Sequence, residues 1–172
     1  MIVSPQKYQQ YIAFADNVAF AQNKQHISIF NGSTNKVIRL RRLYAVNLAL
    51  AAVTGVACRF DYKRLTALDN TGLITPGVFE TGDAAALDAL IKVSSGGGAT
   101  EGALMYANAM NSDEVPAVNT VASPFQSADV MSTNEALKQI TLLPGEGFTV
   151  KQITANTVGT FGWVLVFTQE SF

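Results

Sequence analysis

The residue types that most often carry out catalysis or bind metal ions are scarce in this chain of 172 residues. The sequence has one histidine, His26, and one cysteine, Cys58. A zinc or iron site built on imidazole or thiolate needs several such ligands, so we predict no metal site and no cofactor. His26 would have to serve any catalytic serine or cysteine, and its place at the start of a strand favours an ordinary half-exposed histidine. Cys58 lies on the apolar face of a strand and is predicted to be a core residue.

The common catalytic motifs are also missing from the sequence. No G-x-S-x-G occurs, and Gly96-Gly97-Gly98-Ala99-Thr100 lacks the Gly-Lys-Ser/Thr that completes a phosphate-binding loop. Asp113 and Glu114 are candidates for an oxygen-only calcium site, but without EF-hand spacing they are better interpreted as solvated loop carboxylates. Composition leaves carboxylate-based glycoside hydrolysis open, although the single tryptophan is predicted to lie in the core. We predict that the protein is not an enzyme.

Charge is unevenly distributed along a chain whose net charge is only −1. Residues 24–64 carry a net charge of +7, and residues 65–172 carry −8. Either the basic and acidic strands pair within the fold, or the fold presents faces of opposite sign to two partners. The basic strand holds three interface candidates, Arg39, Arg41 and Arg42. Because no exposed aromatics are interleaved with them, a protein partner is favoured over nucleic acid.

Composition places the chain among single-domain globular proteins. Apolar residues make up 48% and charged residues 15%, which excludes a disordered chain and a generally basic nucleic-acid binder. The longest charge-free apolar stretch, residues 43–58, has 16 residues, whereas a membrane-spanning helix needs about 20. The N-terminal residues show no secretory signal, so we expect assembly in a reducing cytoplasm.

Alternation with a period of two dominates the middle and the end of the sequence and predicts β-strands. Val56, Cys58, Phe60 and Tyr62 alternate with polar or small residues, which is typical of a half-buried strand. A strand at residues 161–167 is apolar on both faces, so we place it centrally and covered on both sides.

Between residues 38 and 48 the apolar pattern is interrupted by Arg42. Either a bulge near Arg41 and Arg42 changes the phase, or the Arg42 stem is buried and its head is paired. Asn31-Gly32-Ser33-Thr34-Asn35 predicts a hairpin loop, and Pro144-Gly145 predicts a type II turn. About eight short strands with regular turns predict an all-β fold, an antiparallel β-sandwich of jelly-roll type.

The first 22 residues precede the first clearly predicted strand. Ser4-Pro5 is a helix-start signal, so this segment is predicted to be a short arm or helix, with a single β-sandwich domain at residues 23–172. Its aromatic residues either pack over the protein's own core or extend onto a neighbouring molecule. Tyr8, Tyr11 and Phe14 are therefore further interface candidates.

Two stretches of the sequence combine strand and turn patterns in a distinctive order. The first runs through His26-Ile27-Ser28-Ile29-Phe30-Asn31-Gly32 into Lys36-Val37-Ile38-Arg39-Leu40-Arg41-Arg42-Leu43-Tyr44 and Phe60-Asp61-Tyr62-Lys63-Arg64-Leu65-Thr66-Ala67. The second is Leu142-Leu143-Pro144-Gly145-Glu146-Gly147-Phe148-Thr149-Val150 with the closing strand Trp163-Val164-Leu165-Val166-Phe167. Together they resemble small structural proteins of tailed bacteriophage virions, of the capsid decoration or cement class. The resemblance covers residues 26–68 and 137–169, and it rests on strand-and-turn patterns.

The resemblance implies a β-sandwich subunit of the virion that binds and stabilises the assembled shell. Its partner would be the major capsid protein or another virion protein, and it would form a homo-oligomer, a dimer or a trimer. The alternative is a ligand- or carbohydrate-binding virion module, such as a head-fibre or host-attachment component. Exposed loop aromatics would favour that alternative, and the predicted loops offer Phe79, Tyr106 and Phe125.

Overall fold

The fold was analysed in a computed structural model, which describes residues 9–47, 56–86, 88–112, 127–129 and 140–171. Its regular structure is entirely β within these ranges, so the predicted all-β class and antiparallel sandwich are confirmed. The strands are β1 (Gln9–Ala19), β2 (Gln25–Asn31), β3 (Lys36–Asn47), β4 (Val56–Leu68), β5 (Leu73–Ile74), β6 (Gly77–Val78), β7 (Ala89–Ser95), β8 (Ala99–Ser112), β9 (Ser127–Asp129), β10 (Thr141–Leu142), β11 (Gly147–Gln152) and β12 (Thr160–Ser171).

The strands form two antiparallel sheets that share one core. Sheet A has the order β10-β3-β12-β1-β6, with β9 also pairing with β3, and sheet B has the order β5-β7-β2-β11-β4-β8. Four of the pairings are nested: β1 pairs with β12, β2 with β11, β3 with β10 over two residues, and β4 with β8. The first and last thirds of the chain therefore run beside each other in opposite directions and cross together from sheet to sheet.

The core lies where the apolar faces of the two sheets meet. From sheet B, the inward face of β4 supplies Cys58, Phe60 and Tyr62, all of which are buried as predicted. From sheet A, β12 supplies the alternating set Phe161, Trp163, Leu165 and Phe167, also buried. The rings of Phe60 and Trp163 meet across the sandwich, with centroids 5.4 Å apart and planes inclined at 68°. Edge-to-face contacts of this kind stabilise the packing beyond the area that they bury.

The N-terminal segment is a strand of the sandwich where the structure describes it. Residues 9–19 form β1, which lies between β12 and β6 in sheet A. The prediction of an arm or helix is therefore wrong for these residues, and the alternative of packing on the protein's own core is correct. The reason lies in the alternation of Tyr11, Ala13 and Ala15, which are buried against the core. The helix signal at Ser4-Pro5 lies outside the described residues.

Two turns carry the chain between the sheets. The type II turn at Pro144-Gly145 is confirmed, since Gly145 has φ of 79° and the Glu146 amide donates to the Leu143 carbonyl at 2.9 Å. The loop after Asn31 is a sheet-to-sheet crossing, because β2 belongs to sheet B and β3 to sheet A, so the predicted hairpin is wrong. The buried Asn31 amide fixes this corner by donating to the carbonyls of Lys36 and Leu142 at 2.8 and 2.9 Å.

A β-bulge in β3 decides which of its side chains face outward. Val166 pairs with Arg42 and Phe167 with Leu40, so Arg41 is the extra residue. Before the bulge, Ile38 and Leu40 face the core, and after it the buried residues are Leu43 and Ala45. The bulge interpretation of the Arg42 interruption is therefore confirmed. Its consequence is that Tyr44 turns to the outer face of sheet A.

Candidate protein-binding face

The centre of sheet A presents an apolar surface on the face turned away from the core. The strand register sets Ile12 of β1 beside Val166 of β12, and Phe14 beside Val164. Phe14 is 49% exposed, and the other three side chains are partly buried. We call these four residues the apolar patch. Because β12 lies between β1 and β3, the backbone of Val164 and Val166 is held by neighbouring strands on both sides, and Phe14 is held by β12.

Two residues of β3 border the apolar patch. Tyr44 pairs with Val164 and Arg42 with Val166, so each continues one cross-strand row of the patch. The exposed Arg42 guanidinium donates from Nη1 to the Tyr44 hydroxyl at 2.8 Å. An aromatic and an arginine beside an apolar centre form the combination that is enriched in protein–protein interfaces.

The other two candidate arginines are engaged with one carboxylate. Glu170 accepts from Arg39 Nε at 2.9 Å and from Arg41 Nη2 at 3.2 Å, and its side chain is 15% exposed. Arg41 also donates from Nε to the Thr168 hydroxyl at 3.2 Å. A carboxylate shared by two guanidinium groups holds both in place. Arg39 and Arg41 therefore have a structural role on this face, whereas Arg42 contacts the Tyr44 hydroxyl there.

Three further basic side chains of residues 24–64, Lys36, Lys63 and Arg64, pair with carboxylates of the acidic remainder of the chain. Lys63 binds Glu101 at 2.8 Å, and Lys36 binds Asp88 at 2.8 Å. The interpretation in which the basic and acidic segments pair within the fold accounts for these contacts. Six of the eight basic side chains of residues 24–64 therefore form an ion pair with a carboxylate in the described structure.

The predicted interface residues have different positions in the structure. Phe14 and Arg42 share the outer face of sheet A, two strands apart. Tyr11 does not lie there: it is 2% exposed, and its ring stacks on Phe167 at a centroid distance of 5.3 Å, so its assignment to an interface is wrong. Its position is a consequence of alternation, because residues 11 and 14 of a strand lie on opposite faces. Tyr8 lies outside the described residues.

Sequence reasoning missed Ile12, Val164, Val166 and Tyr44 as parts of this face. Apolar residues on both faces of residues 161–167 were the signal for the two valines, and they were interpreted as evidence of a covered strand. The structure confirms that β12 is central in its sheet. Its outer face, however, is only partly covered, since Val164 and Val166 keep intermediate exposure.

The single histidine is buried at the centre of the sandwich. A bulge opposite Lys151 leaves His26 without a partner on β11. The Trp163 indole donates to His26 Nδ1 at 3.0 Å, and His26 Nε2 lies 3.2 Å from Gln152 Oε1. Burial lowers the pKa of His26 to about 4, against the hydrogen bond to Gln152, which raises it. The expectation of a half-exposed histidine is therefore wrong, and this neutral imidazole is a structural residue.

Cys58 is a core residue, as predicted, and burial raises the pKa of its thiol. Among the described residues, no group of three or more histidine, cysteine, aspartate or glutamate side chains is arranged to hold a metal ion. The calcium candidates Asp113 and Glu114 lie outside the described ranges. Across the same ranges, no helix has the length and hydropathy needed to span a membrane.

The loop aromatics that would favour a ligand-binding module have separate positions. Phe79 is exposed just after β6, and Tyr106 is exposed on β8, where its ring lies 5.3 Å from that of Tyr62. Phe125 lies outside the described residues. Comparison with known proteins identified no relative: no family model matches the sequence, and no curated protein or solved structure is significantly similar to it.

Proposed function

We propose that this chain is a non-enzymatic structural protein of a bacteriophage virion, which binds and stabilises the capsid shell as a decoration or cement protein. Its partner is the major capsid protein or another virion protein, and it joins the virion during assembly in the host cytoplasm. The proposal combines the resemblance of residues 26–68 and 137–169 to this class with the properties of the outer face of sheet A.

The apolar patch is the observation that carries the proposal. Phe14, Ile12, Val164 and Val166 form a contiguous surface at the middle of a sheet, where a soluble protein usually places polar side chains. Contiguous exposed apolar surface on a rigid scaffold is typical of a binding face. A partner that covers Phe14 removes apolar area from water, and Arg42 at the border favours a partner with an acidic or carbonyl-rich rim.

The two residues best suited to nucleophilic or acid–base chemistry support a non-catalytic role. His26 and Cys58 are both fully buried, so neither reaches a substrate at the surface. His26 is occupied by Trp163 and Gln152. In this account both residues serve the rigidity of the sandwich, which a shell-binding subunit needs.

We also assign the sandwich to the jelly-roll type. Support comes from the nested pairing of β1 with β12, β2 with β11, β3 with β10 and β4 with β8. This is the pattern of one long antiparallel ribbon wrapped around a core, and a jelly roll is an eight-stranded double sheet of two Greek keys. The strands β5, β6, β7 and β9 then extend the two sheets.

The proposal is tested by asking whether the chain is part of a virion. Particles are purified by density gradient from host cells that carry the gene, and the protein is quantified in each fraction by mass spectrometry. We expect it to sediment with full particles at a fixed ratio to the major capsid protein. Its presence only in the soluble fraction, or in particles at variable trace amounts, would contradict a structural role.

A further inference from the structure

The four edges of the two sheets differ sharply in length. Sheet A ends in β6 on one side and in β9 and β10 on the other, and these strands have two or three residues each. Sheet B ends on one side in β5, which has two residues, and on the other in β8, which has 14. Very short edge strands prevent unwanted pairing with other chains. Among the described edge strands, β8 is by far the longest, so it offers the longest row of backbone groups for pairing with another strand.

The composition of β8 is also unusual for an exposed edge. Residues 102–112 contain no charged side chain, and charges are what natural edges use to prevent association. Leu104 and Tyr106 are 50% and 52% exposed, and Met105 between them is exposed as well. In a strand with one covered face, alternate residues would be buried. This part of β8 therefore shows apolar surface on both faces.

The pairing of β8 with β4 divides the strand into two parts. All three register shifts fall between Tyr62 and Ala67 of β4, opposite the first part of β8. Residues 106–112 pair without interruption with residues 62–56. Bulges twist an edge and hinder pairing, so the regular part is the one that offers a flat row of backbone groups. No described strand pairs with its other side.

We propose that β8 pairs antiparallel with β8 of a second copy of this chain, which joins two B sheets into one continuous sheet across a twofold axis. The absence of charged side chains from residues 102–112 favours a second copy as the partner. A twofold axis sets equivalent residues opposite each other, so a charged edge would repel itself, whereas residues 102–112 carry no charge to repel. Ala107 pairs with Asp61 of β4, and Ala109 pairs with Arg59. Both alanines are exposed, and their small side chains leave room for a close neighbour.

This interface is distinct from the apolar patch on sheet A. A dimer formed through β8 leaves Phe14 and Arg42 available, since they belong to the other sheet. The inference does not rest on the proposed function, because pairing of β8 needs no shell protein. Failure of one proposal is therefore distinguishable from failure of the other.

The first test measures the mass of the purified full-length chain in solution over a range of concentrations by light scattering. We expect twice the chain mass of 18.4 kDa, with dissociation on dilution. Ala107→Lys places two like charges near the axis and should raise the dimer dissociation constant by about tenfold or more. Val158→Lys is the matched control, since Val158 is a similarly exposed residue away from β8, and it should leave the constant unchanged. Circular dichroism verifies that both variants keep the β-fold.

The second test identifies the strand. Cys58 is buried, so Ala107→Cys and Ala109→Cys each introduce an accessible thiol. Residues that face each other in an antiparallel pair have Cα atoms about 4.5–5.5 Å apart, a distance that a disulfide spans. We expect one of these variants to form a covalent dimer on mild oxidation, and a Val158→Cys control to remain uncoupled. A monomeric mass at every concentration, or a dimer that Ala107→Lys leaves intact and neither cysteine cross-links, would overturn the proposal.

Discussion

The indole nitrogen of Trp163 in sheet A donates a 3.0 Å hydrogen bond to Nδ1 of His26 in sheet B, so a polar contact joins the two sheets at the centre of the core. The donor fixes the tautomer, because Nδ1 must be unprotonated and Nε2 then carries the proton toward Gln152. The imidazole is thus satisfied only in its neutral form. Protonation at Nδ1 would oppose the Trp163 donor and place a charge in an aromatic cluster.

This relationship predicts a loss of stability in mild acid. The pKa of His26 is about 4 in the folded protein and near its usual value of 6.5 when unfolded, so the unfolded chain binds the extra proton between these values. The stability that the neutral His26 contributes is fully present above pH 6.5 and is lost as the pH falls toward 4. We expect the free energy of unfolding to fall by about 1 kcal/mol per pH unit between pH 6 and 5, and by about 3 kcal/mol in all.

Urea denaturation at a series of pH values measures this dependence. A His26→Gln variant keeps a polar side chain that does not titrate, so its stability should change much less over the same interval. Above pH 5 most carboxylates remain ionised, which isolates the histidine. An unchanged pH slope in the variant would show that other groups are responsible.

Strand β1 yields a prediction that separates core from surface on a single element. Tyr11→Ala removes a buried ring that stacks on Phe167, and we expect a loss of about 3–5 kcal/mol in unfolding free energy. Phe14→Ala removes a half-exposed side chain from the opposite face and should cost about 1 kcal/mol or less. Chemical denaturation of both variants checks the difference. Equal costs would contradict the assignment of Tyr11 to the core and Phe14 to the surface.

A charged cluster on sheet B predicts the effect of neutralising Glu101. This carboxylate accepts from Lys151 Nζ at 2.7 Å and from Lys63 Nζ at 2.8 Å. Burial raises its pKa, but the hydrogen bonds from the two lysines outweigh that effect and hold it below its usual value. Glu101→Gln leaves two partly buried ammonium groups without their anion, so we expect a loss of about 2 kcal/mol in unfolding free energy.

The matched control for this cluster is Asp88→Asn, which breaks the more exposed pair with Lys36 and should cost about 0.5 kcal/mol. Because the pKa of Glu101 is lower in the folded than in the unfolded protein, its ionised carboxylate stabilises the fold at pH values above its unfolded pKa. This stabilisation is lost as the pH falls through the pKa of the folded state. Thermal unfolding at pH 7 and pH 3 checks both points. A wild-type melting temperature for Glu101→Gln at pH 7 would contradict the role of the cluster.

The fold class could be predicted from sequence because alternation alone decides which face of a strand is buried. Phe60 and Trp163 were placed in the core on that basis, and both are there. What local patterns could not supply was the sheet to which each strand belongs. The loop after Asn31 is as short as a hairpin loop, yet it crosses between the sheets. The crossing follows from pairing with strands distant in sequence, since β2 pairs with β11 in sheet B and β3 pairs with β12 in sheet A.

The candidate face was only partly predictable for a related reason. Phe14 and Arg42 were identified, but only the register of β1, β12 and β3 sets them on one surface. The bulge at Arg41 turned Tyr44 outward. The sequence located the interruption near Arg41 and Arg42 but left open whether a bulge or a buried Arg42 stem causes it. Tyr11 was grouped with Phe14 as an aromatic residue of an N-terminal arm, whereas the alternation of β1 places the two side chains on opposite faces of sheet A.

Arg42 and Phe14 should contribute to shell binding in different ways. Arg42 is exposed at the border of the apolar patch, so its contribution is electrostatic and should weaken as the Debye length falls from about 10 Å at 0.1 M salt to about 3 Å at 1 M. Arg42→Gln should slow association and reduce its salt dependence, with a small effect on dissociation. Binding kinetics at two salt concentrations measure this, and an unchanged salt dependence would remove Arg42 from the interface.

The most direct test of the account measures the affinity of Phe14→Thr for particles that lack the protein. Threonine keeps the β-propensity of the strand and removes the aromatic surface, and Val158→Thr is the control for introducing a threonine at an apolar residue of similar exposure away from the face. If the apolar patch is the shell-binding surface, Phe14→Thr should bind about 30-fold more weakly, which corresponds to about 2 kcal/mol, while Val158→Thr binds like the wild type. Wild-type affinity of a folded Phe14→Thr would contradict the claim that this face of sheet A binds the capsid.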